Sequence, residues 1–303
     1  KKKMLSAHDT SSQKMFKVLC RGRERCTEEA LRLMSDFVAR HQSADGGFVN
    51  RAGQPDLYYS MFALLLAAVL RAPIRRDAAS GYLDGIDPGQ LDLVHLLCLV
   101  RCRKLLAFLA LPAQLQSVAL RLESGAVSKS LRKHAEALLE SRDAALFPLQ
   151  DAASPYSQFL KLSLAQELAI SFSGQSLDAY RCYDGLFSNL QEDTESSTNA
   201  TSSAFALAHF GYCNLTPEAL QNFVDLQQED GAFKAVPKAA STDLLSTATA
   251  FFALSLHQLK PLRPAREFLY SVFTAQGGFS SGADDSFPDL EYTVYGLLLT
   301  GLM

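Results

Sequence analysis

The chain has 303 residues and a formal net charge of -3, with 48% apolar, 10% aromatic and 20% charged side chains. That balance is typical of a globular protein and excludes wholesale disorder. A chain this long buries enough surface to fold without disulfides or a structural metal. The longest apolar run, at residues 61–70, is far shorter than the roughly 20 residues a membrane-spanning helix needs.

Residues 1–26 carry eight basic side chains (Lys1, Lys2, Lys3, Lys14, Lys17, Arg21, Arg23 and Arg25) against Asp9 and Glu24. The remainder of the chain is acidic, so this stretch reads as a basic arm, flexible or forming a short helix, that could touch an anionic surface. No nucleic-acid recognition motif accompanies it, so no specific nucleic-acid partner is expected. The segment has charge but no apolar signal core. Six cysteines lie without a disulfide rhythm and read as reduced thiols, and the expected location is the cytoplasm.

From Thr27 an amphipathic helix is predicted (TEEALRLMSDFVARH), with Thr27 as its cap. It ends at the glycine turn DGGF, whose last residue is Phe48. A second helix opens on Asp56 (DLYYSMFALLLAAVL) and carries no charge beyond that aspartate. A helix apolar all round is buried on every side. Further apolar helices are predicted near residues 91–107 and 156–172. The turn DGLF follows, ending at Phe187, and then an apolar helix whose capping residue is expected at Asn199. An amphipathic helix from Thr216 precedes the turn DGAF at Phe233 and an apolar helix from Asp243. Another amphipathic helix from Arg263 precedes the turn QGGF at Phe279 and an apolar helix from Asp289.

Phe187, Phe233 and Phe279 are spaced by 46 residues, as are Asp243 and Asp289. A fixed period of this length marks a repeat architecture. Each unit reads as an outer amphipathic helix, a glycine turn that stops it, and an inner apolar helix started by a side-chain cap. Six inner helices are assigned, starting near residues 56, 90, 154, 198, 243 and 289. The expected fold is all-α, an (α/α)6 toroid of six helical hairpins spanning residues 27–303 as one domain, with an open solenoid as the alternative.

QSADGGF (residues 42–48) and QQEDGAF (residues 227–233) resemble the Q-x-x-D-G-x-W repeat of squalene and terpene cyclases, with Phe in place of Trp. The stretches at residues 46–64 and 277–297 are similar to the internal repeat of the protein prenyltransferase β subunit. The resemblance implies an α/α toroid with a central apolar cavity, and an isoprenoid or other apolar ligand. It also implies, for the prenyltransferases, a zinc ion held by an Asp, a Cys two residues later and a His on a later inner helix. Here Asp243 matches the aspartate, but Leu245 and Tyr292 stand at the other two positions. One donor of three does not hold zinc, so no cofactor is expected. The family's diphosphate-binding basic positions fall on Pro237 and Ala240, with Lys234 and Lys238 displaced from them, and no D-x-D-D acid string occurs.

Eight aromatic residues on the inner helices are candidate ligand-binding groups: Tyr58, Tyr59, Phe62 and Phe205, with Phe251, Phe252, Tyr292 and Tyr295. Aromatic walls offer π faces to an isoprenoid chain or a cation. Asp243, Tyr292, Tyr59 and His209 are candidate acid or base groups, on the strength of side-chain chemistry near the helix ends. Asp92, His95, Cys98 and Cys102 share a helix face, but span too much of its length for one ion.

Three functional readings follow. The first is an isoprenoid- or lipid-handling toroid, acting as a binding protein or as a transferase or cyclase on an isoprenoid diphosphate. The second is a non-catalytic scaffold that pairs with a protein partner, as prenyltransferase β toroids do. The third is a carbohydrate-active toroid, which would need two carboxylates about 5–9.5 Å apart; Asp184 and Asp230 precede corresponding turns but read as turn residues, and no pair at that spacing is legible.

Overall fold

The computed structural model describes residues 9–112 and 127–303. In chain order the helices are α1 (Ser11–Arg25), α2 (Glu28–Arg40), α3 (Leu57–Leu70), α4 (Arg76–Asp84), α5 (Leu93–Ala110) and α6 (Lys129–Glu140). They continue with α7 (Pro155–Leu168), α8 (Thr198–His209), α9 (Pro217–Asp225), α10 (Leu244–Leu256), α11 (Arg266–Ser271) and α12 (Leu290–Leu302). The only sheet among the described residues is a short antiparallel ribbon, β1 (Phe48–Val49) with β2 (Pro55–Asp56). Among the described residues no helix is long and apolar enough to cross a membrane.

The inner layer consists of α3, α5, α7, α8, α10 and α12. Each packs against the next in that order, and α12 packs back against α3, so the ring closes. The predicted starting points hold closely. All six inner helices begin on a side-chain cap: Asp56, Asp92, Ser154, Ser197, Asp243 and Asp289 each accept an amide of the first turn. These caps satisfy donors that have no partner inside the helix. One cap differs from expectation: Ser197, not Asn199, starts α8. The interval from turn phenylalanine to cap is ten residues in the units of Phe187, Phe233 and Phe279, which places the fourth cap at Ser197.

Outer helices α2, α4, α6, α9 and α11 cover the ring, each with an apolar stripe turned inward. The fourth unit lacks an outer α-helix. A single 3-10 turn, Asp178–Tyr180, stands in its place, preceded by the polar stretch around Gly174 that has no helical periodicity.

The repeated turn motif has a specific mechanical role. The aspartates Asp45, Asp184 and Asp230 accept the amide two residues on (3.0, 3.0 and 2.9 Å) and fix the turn. Gln42 donates to the carbonyl of Gly46 in its own turn and of Arg75 at the head of the next outer helix, and accepts from the Arg75 amide. Gln227 makes the same three bonds with Gly231 and Arg263. Arg181 substitutes for this glutamine in the fourth unit, donating to Gly185 O and Asn214 O. The turn phenylalanine amide then donates to a hydroxyl on the inner helix: Phe48 to Ser60, Phe187 to Thr201, Phe233 to Thr247 and Phe279 to Thr293. Each turn is thus tied to its own inner helix and to the next unit.

The last unit is seated on the first. Gly277 has φ of +89°, and a Cβ there would lie 2.3 Å from the Leu33 carbonyl oxygen of α2. Only glycine meets both demands. Arg40 of α2 donates to the Gln276 carbonyl at the same joint.

Helix α1 lies in the stretch read as a basic arm. It packs along α12 and also touches α3 and α7, and α12 and α7 stand opposite each other in the ring. Its partners Phe108, Gln166 and Thr300 all belong to the C-terminal halves of inner helices. It therefore runs as a diameter across that end of the ring. Two glycines permit the crossing with α12: a Cβ on Gly22 would meet Leu297 O at 2.1 Å, and one on Gly301 would meet Val18 O at 2.1 Å.

Candidate functional site

The lumen of the ring is a cavity of about 650 Å³, bordered by all six inner helices and by the first turns of α1. That volume lies in the range typical of small-molecule sites. Its walls follow the helix period. The second residue after each cap forms an upper layer: Tyr58, Val94, Tyr156, Asn199 and Leu245 border the cavity, and the sixth member, Glu291, accepts a hydrogen bond from Tyr58 Oη (2.6 Å). The sixth residue after each cap forms the next layer, and all six members border the cavity: Phe62, Cys98, Leu160, Ser203, Thr249 and Tyr295. Four residues separate the two layers, about one turn of helix.

This geometry sorts the predicted aromatic residues. Tyr58, Phe62, Phe252 and Tyr295 border the cavity. Tyr58 meets Phe62 edge-on at 4.9 Å, and Phe62 lies 6.0 Å from Tyr295, giving a continuous aromatic wall. Phe205 and Phe251 do not border it. Phe205 packs on Phe223 of α9 at 4.7 Å and Phe251 on the turn residue Phe233 at 6.1 Å, so both belong to the core between the layers. Tyr59 and Tyr292 are also set aside from the cavity: Tyr59 packs against the edge of Tyr58, and the Tyr292 ring lies under the Arg51 guanidinium at 5.4 Å. The reason is helical phase. Tyr59 and Tyr292 stand three residues after their caps, about 80° around the helix from the lumen-facing direction, and Phe205 and Phe251 stand eight after, about 140° away on the other side.

The candidate acid and base groups are similarly placed. Asp243 caps α10 through the Ser246 amide, and burial raises its carboxyl above the ordinary value. His209 lies at the end of α8 against Phe210 and His257, outside the cavity wall. Burial pushes the phenols of Tyr59 and Tyr292 up to about 12. Asp184 and Asp230 serve as turn residues, each accepting through one oxygen from an amide of its turn and through the other from a hydroxyl just before the following inner helix.

Several lumen residues were not singled out from sequence. Tyr156 and Phe159 extend the aromatic wall onto α7, and Phe16 and Phe108 meet edge-on at 5.5 Å by the α1 end. Glu291 is half-buried beside Tyr58, and its partial desolvation, with the neighbouring Asp289, raises its carboxyl to about 7. Among the described residues, the charged side chains that border the cavity are Arg101, Lys104 and Glu167.

Residues 14–101 and 155–298 match the prenyltransferase alpha-alpha toroid domain. The chain belongs to that family. Comparison with curated proteins finds no match. The unmatched segment within the toroid, residues 102–154, contains the C-terminal half of α5 and all of α6.

The residues of this toroid do not fit the zinc ion its family implies. Asp243 has one oxygen committed to the α10 cap, Leu245 has no donor atom and points into the cavity, and the Tyr292 phenol is held protonated beneath Arg51. Among the described residues no group of three or more His, Cys, Asp or Glu side chains is placed to hold a metal. Cys98, on the cavity wall, has its thiol pushed up to about 12 by burial, which disfavours the thiolate that a metal needs. Two cations at the mouth formed by the inner-helix N-termini are paired. Arg51 is bound by Asp289 (2.6 Å) and Asp285 (2.8 Å), and Lys238 pairs with Glu195.

Proposed function

We propose that this toroid binds an apolar, isoprenoid-like molecule in its lumen and is not a zinc-dependent prenyltransferase. The single observation that carries the reading is the lining: a cavity of about 650 Å³ whose upper two layers present Tyr58, Tyr156, Phe62 and Tyr295 around aliphatic side chains. Burying apolar ligand surface against such a wall gains about 25 cal/mol per Å², and the ring closure holds the wall in place without a further ordering cost. The family membership supports an isoprenoid over other apolar molecules. The missing zinc donors and the paired mouth cations argue against thiol prenylation with a diphosphate leaving group.

The chain contains no tryptophan, so Phe62→Trp installs a single reporter in the lumen. Addition of farnesol should shift and intensify its emission with saturable binding. Solvent extraction of the purified wild-type protein should release an apolar molecule detectable by mass spectrometry. A clean extract together with an emission unmoved by farnesol would end this reading.

A further inference from the structure

The cavity has opposite electrical character at its two ends. At the mouth, caps Asp56, Asp92, Asp243 and Asp289 and the half-buried Glu291 gather carboxylates, and two cations there, Arg51 and Lys238, are already paired. At the α1 end, Arg101 and Lys104 of α5 reach Glu167 of α7. Arg101 Nε donates to Glu167 Oε1 (3.3 Å) and Nη2 to Ser12 Oγ (3.0 Å). Lys104 Nζ donates to Glu167 Oε2 (2.6 Å) and to its carbonyl (2.9 Å). Burial alone would raise the Glu167 carboxyl, but Lys104 and Arg101 outweigh it and keep it below the ordinary glutamate value, so it is ionised. Among the described residues, those bordering the cavity therefore bear two positive groups and one negative, an excess of one positive charge at this pole beside an apolar lumen. An uncompensated charge next to apolar surface is costly, and an anion delivered by a ligand removes that cost. The first turn of α1 adds to the attraction: Ser11 and Ser12 border the cavity at this pole, and the partial positive charge of a helix start favours an anion there.

Resting on the lumen-binding reading above, we propose that the ligand is an apolar chain ending in a singly charged anionic head, a carboxylate, with the head held by Arg101 and Lys104 at the α1 end and the chain lying against the aromatic layers. One excess charge matches a carboxylate and not a diphosphate, which would bring about three negative charges to a site that already contains Glu167. Val94 and Phe108 both border the cavity and are fourteen residues apart on α5, a depth of about 21 Å at 1.5 Å per residue. That depth accommodates a long chain between the two poles.

The test is equilibrium dialysis of the whole protein with four radiolabelled probes: hexadecanoate and hexadecanol, farnesoate and farnesol. Each acid should bind at least ten-fold more tightly than its alcohol, and the acid that binds more tightly identifies the chain as fatty or isoprenoid. In the double variant Arg101→Gln, Lys104→Met the acid preference should fall to near unity while alcohol binding persists. Glu167→Gln leaves both cations and should widen the preference, which keeps the test decisive if the double variant does not fold. Acids and alcohols binding equally would overturn the head-group assignment and leave the lumen-binding reading intact. A preference for acids that survives the double variant and does not change in Glu167→Gln would overturn the assignment to this pole. Binding of none of the four would overturn both readings.

Discussion

If the last unit is seated on the first, Gly277 is the residue that permits the joint, and alanine there should destabilise the whole ring. Two costs add. Holding alanine at φ near +89° costs about 1–2 kcal/mol relative to glycine. The new methyl carbon would also sit 2.3 Å from Leu33 O and 2.6 Å from Leu33 C. Both are backbone atoms of α2, which cannot rotate aside, and forced overpacking adds about 1–3 kcal/mol. Gly185 is the internal control. It has φ of +76°, and a Cβ there meets nothing closer than the Ala219 methyl at 3.6 Å. Gly185→Ala should therefore cost only the backbone contribution, and Gly277→Ala about 1–3 kcal/mol more. For a chain of this length that gap is about 2–6 °C in calorimetric midpoint. Gly231→Ala reports on an ordinary joint, since its Cβ would fall 2.4 Å from Pro264 O of the neighbouring unit. A loss at Gly231 with none at Gly277 beyond the Gly185 value would mean that successive units interlock but the ring is open, and would refute the closure argument.

Three further outcomes are expected. Gln227→Ala strips three hydrogen bonds from the joint between the third glycine turn and Arg263, leaving one buried and two part-buried backbone groups without their partner, and should cost about 1–3 kcal/mol in urea unfolding. Glu291 is raised in the folded protein to about 7 from an ordinary value near 4.5, so the folded state holds a proton that the unfolded state has lost. Stability should be greatest below about pH 4.5 as far as this group is concerned and should fall as pH rises through 7, by at most about 3 kcal/mol. Glu291→Gln should flatten that slope and match the wild type at pH 4.5, which unfolding curves across the range will check. Ser163 Oγ is buried without a hydrogen-bond partner among the described residues, so Ser163→Ala should leave the urea midpoint unchanged or raise it.

The repeat arithmetic was legible in the sequence because each joint depends on residues of restricted chemistry. Turn aspartates, positive-φ glycines and helix caps tolerate few substitutes, so their 46-residue spacing survives in the text of the chain. Where several residue types can do the work, the pattern blurs. Arg181 replaces the turn glutamine because a guanidinium reaches the same two carbonyls, and Ser197 replaces the capping aspartate because a hydroxyl accepts the same amide. The fourth unit lost its outer helix without losing its place in the ring, since Tyr180 and Phe187 still fill the core there.

The lumen was half legible. Choosing aromatic residues on inner helices finds Tyr58, Phe62, Phe252 and Tyr295 but also Phe205 and Phe251, because aromatic side chains serve the core and the cavity alike. Counting from the cap separates the two sets without reference to residue type, and it adds Tyr156, Asn199 and Thr249. The charged pole was not legible at all. Arg101 and Lys104 lie on α5, Glu167 on α7 and Ser12 on α1, and only the closed ring with its crossing helix brings them together.

A circle of units in which the sixth grips the first has no free end from which to fray. In an open array, melting starts at the outermost copies and moves inward; here every copy is flanked on both sides, so loss of one should bring down the others in a single transition. The peptide link between successive units is then only one of several connections between them. New termini could be opened in an exposed inter-unit loop and the old ones joined, provided α1 keeps its place across the ring, and the rearranged chain should still fold to the same shape.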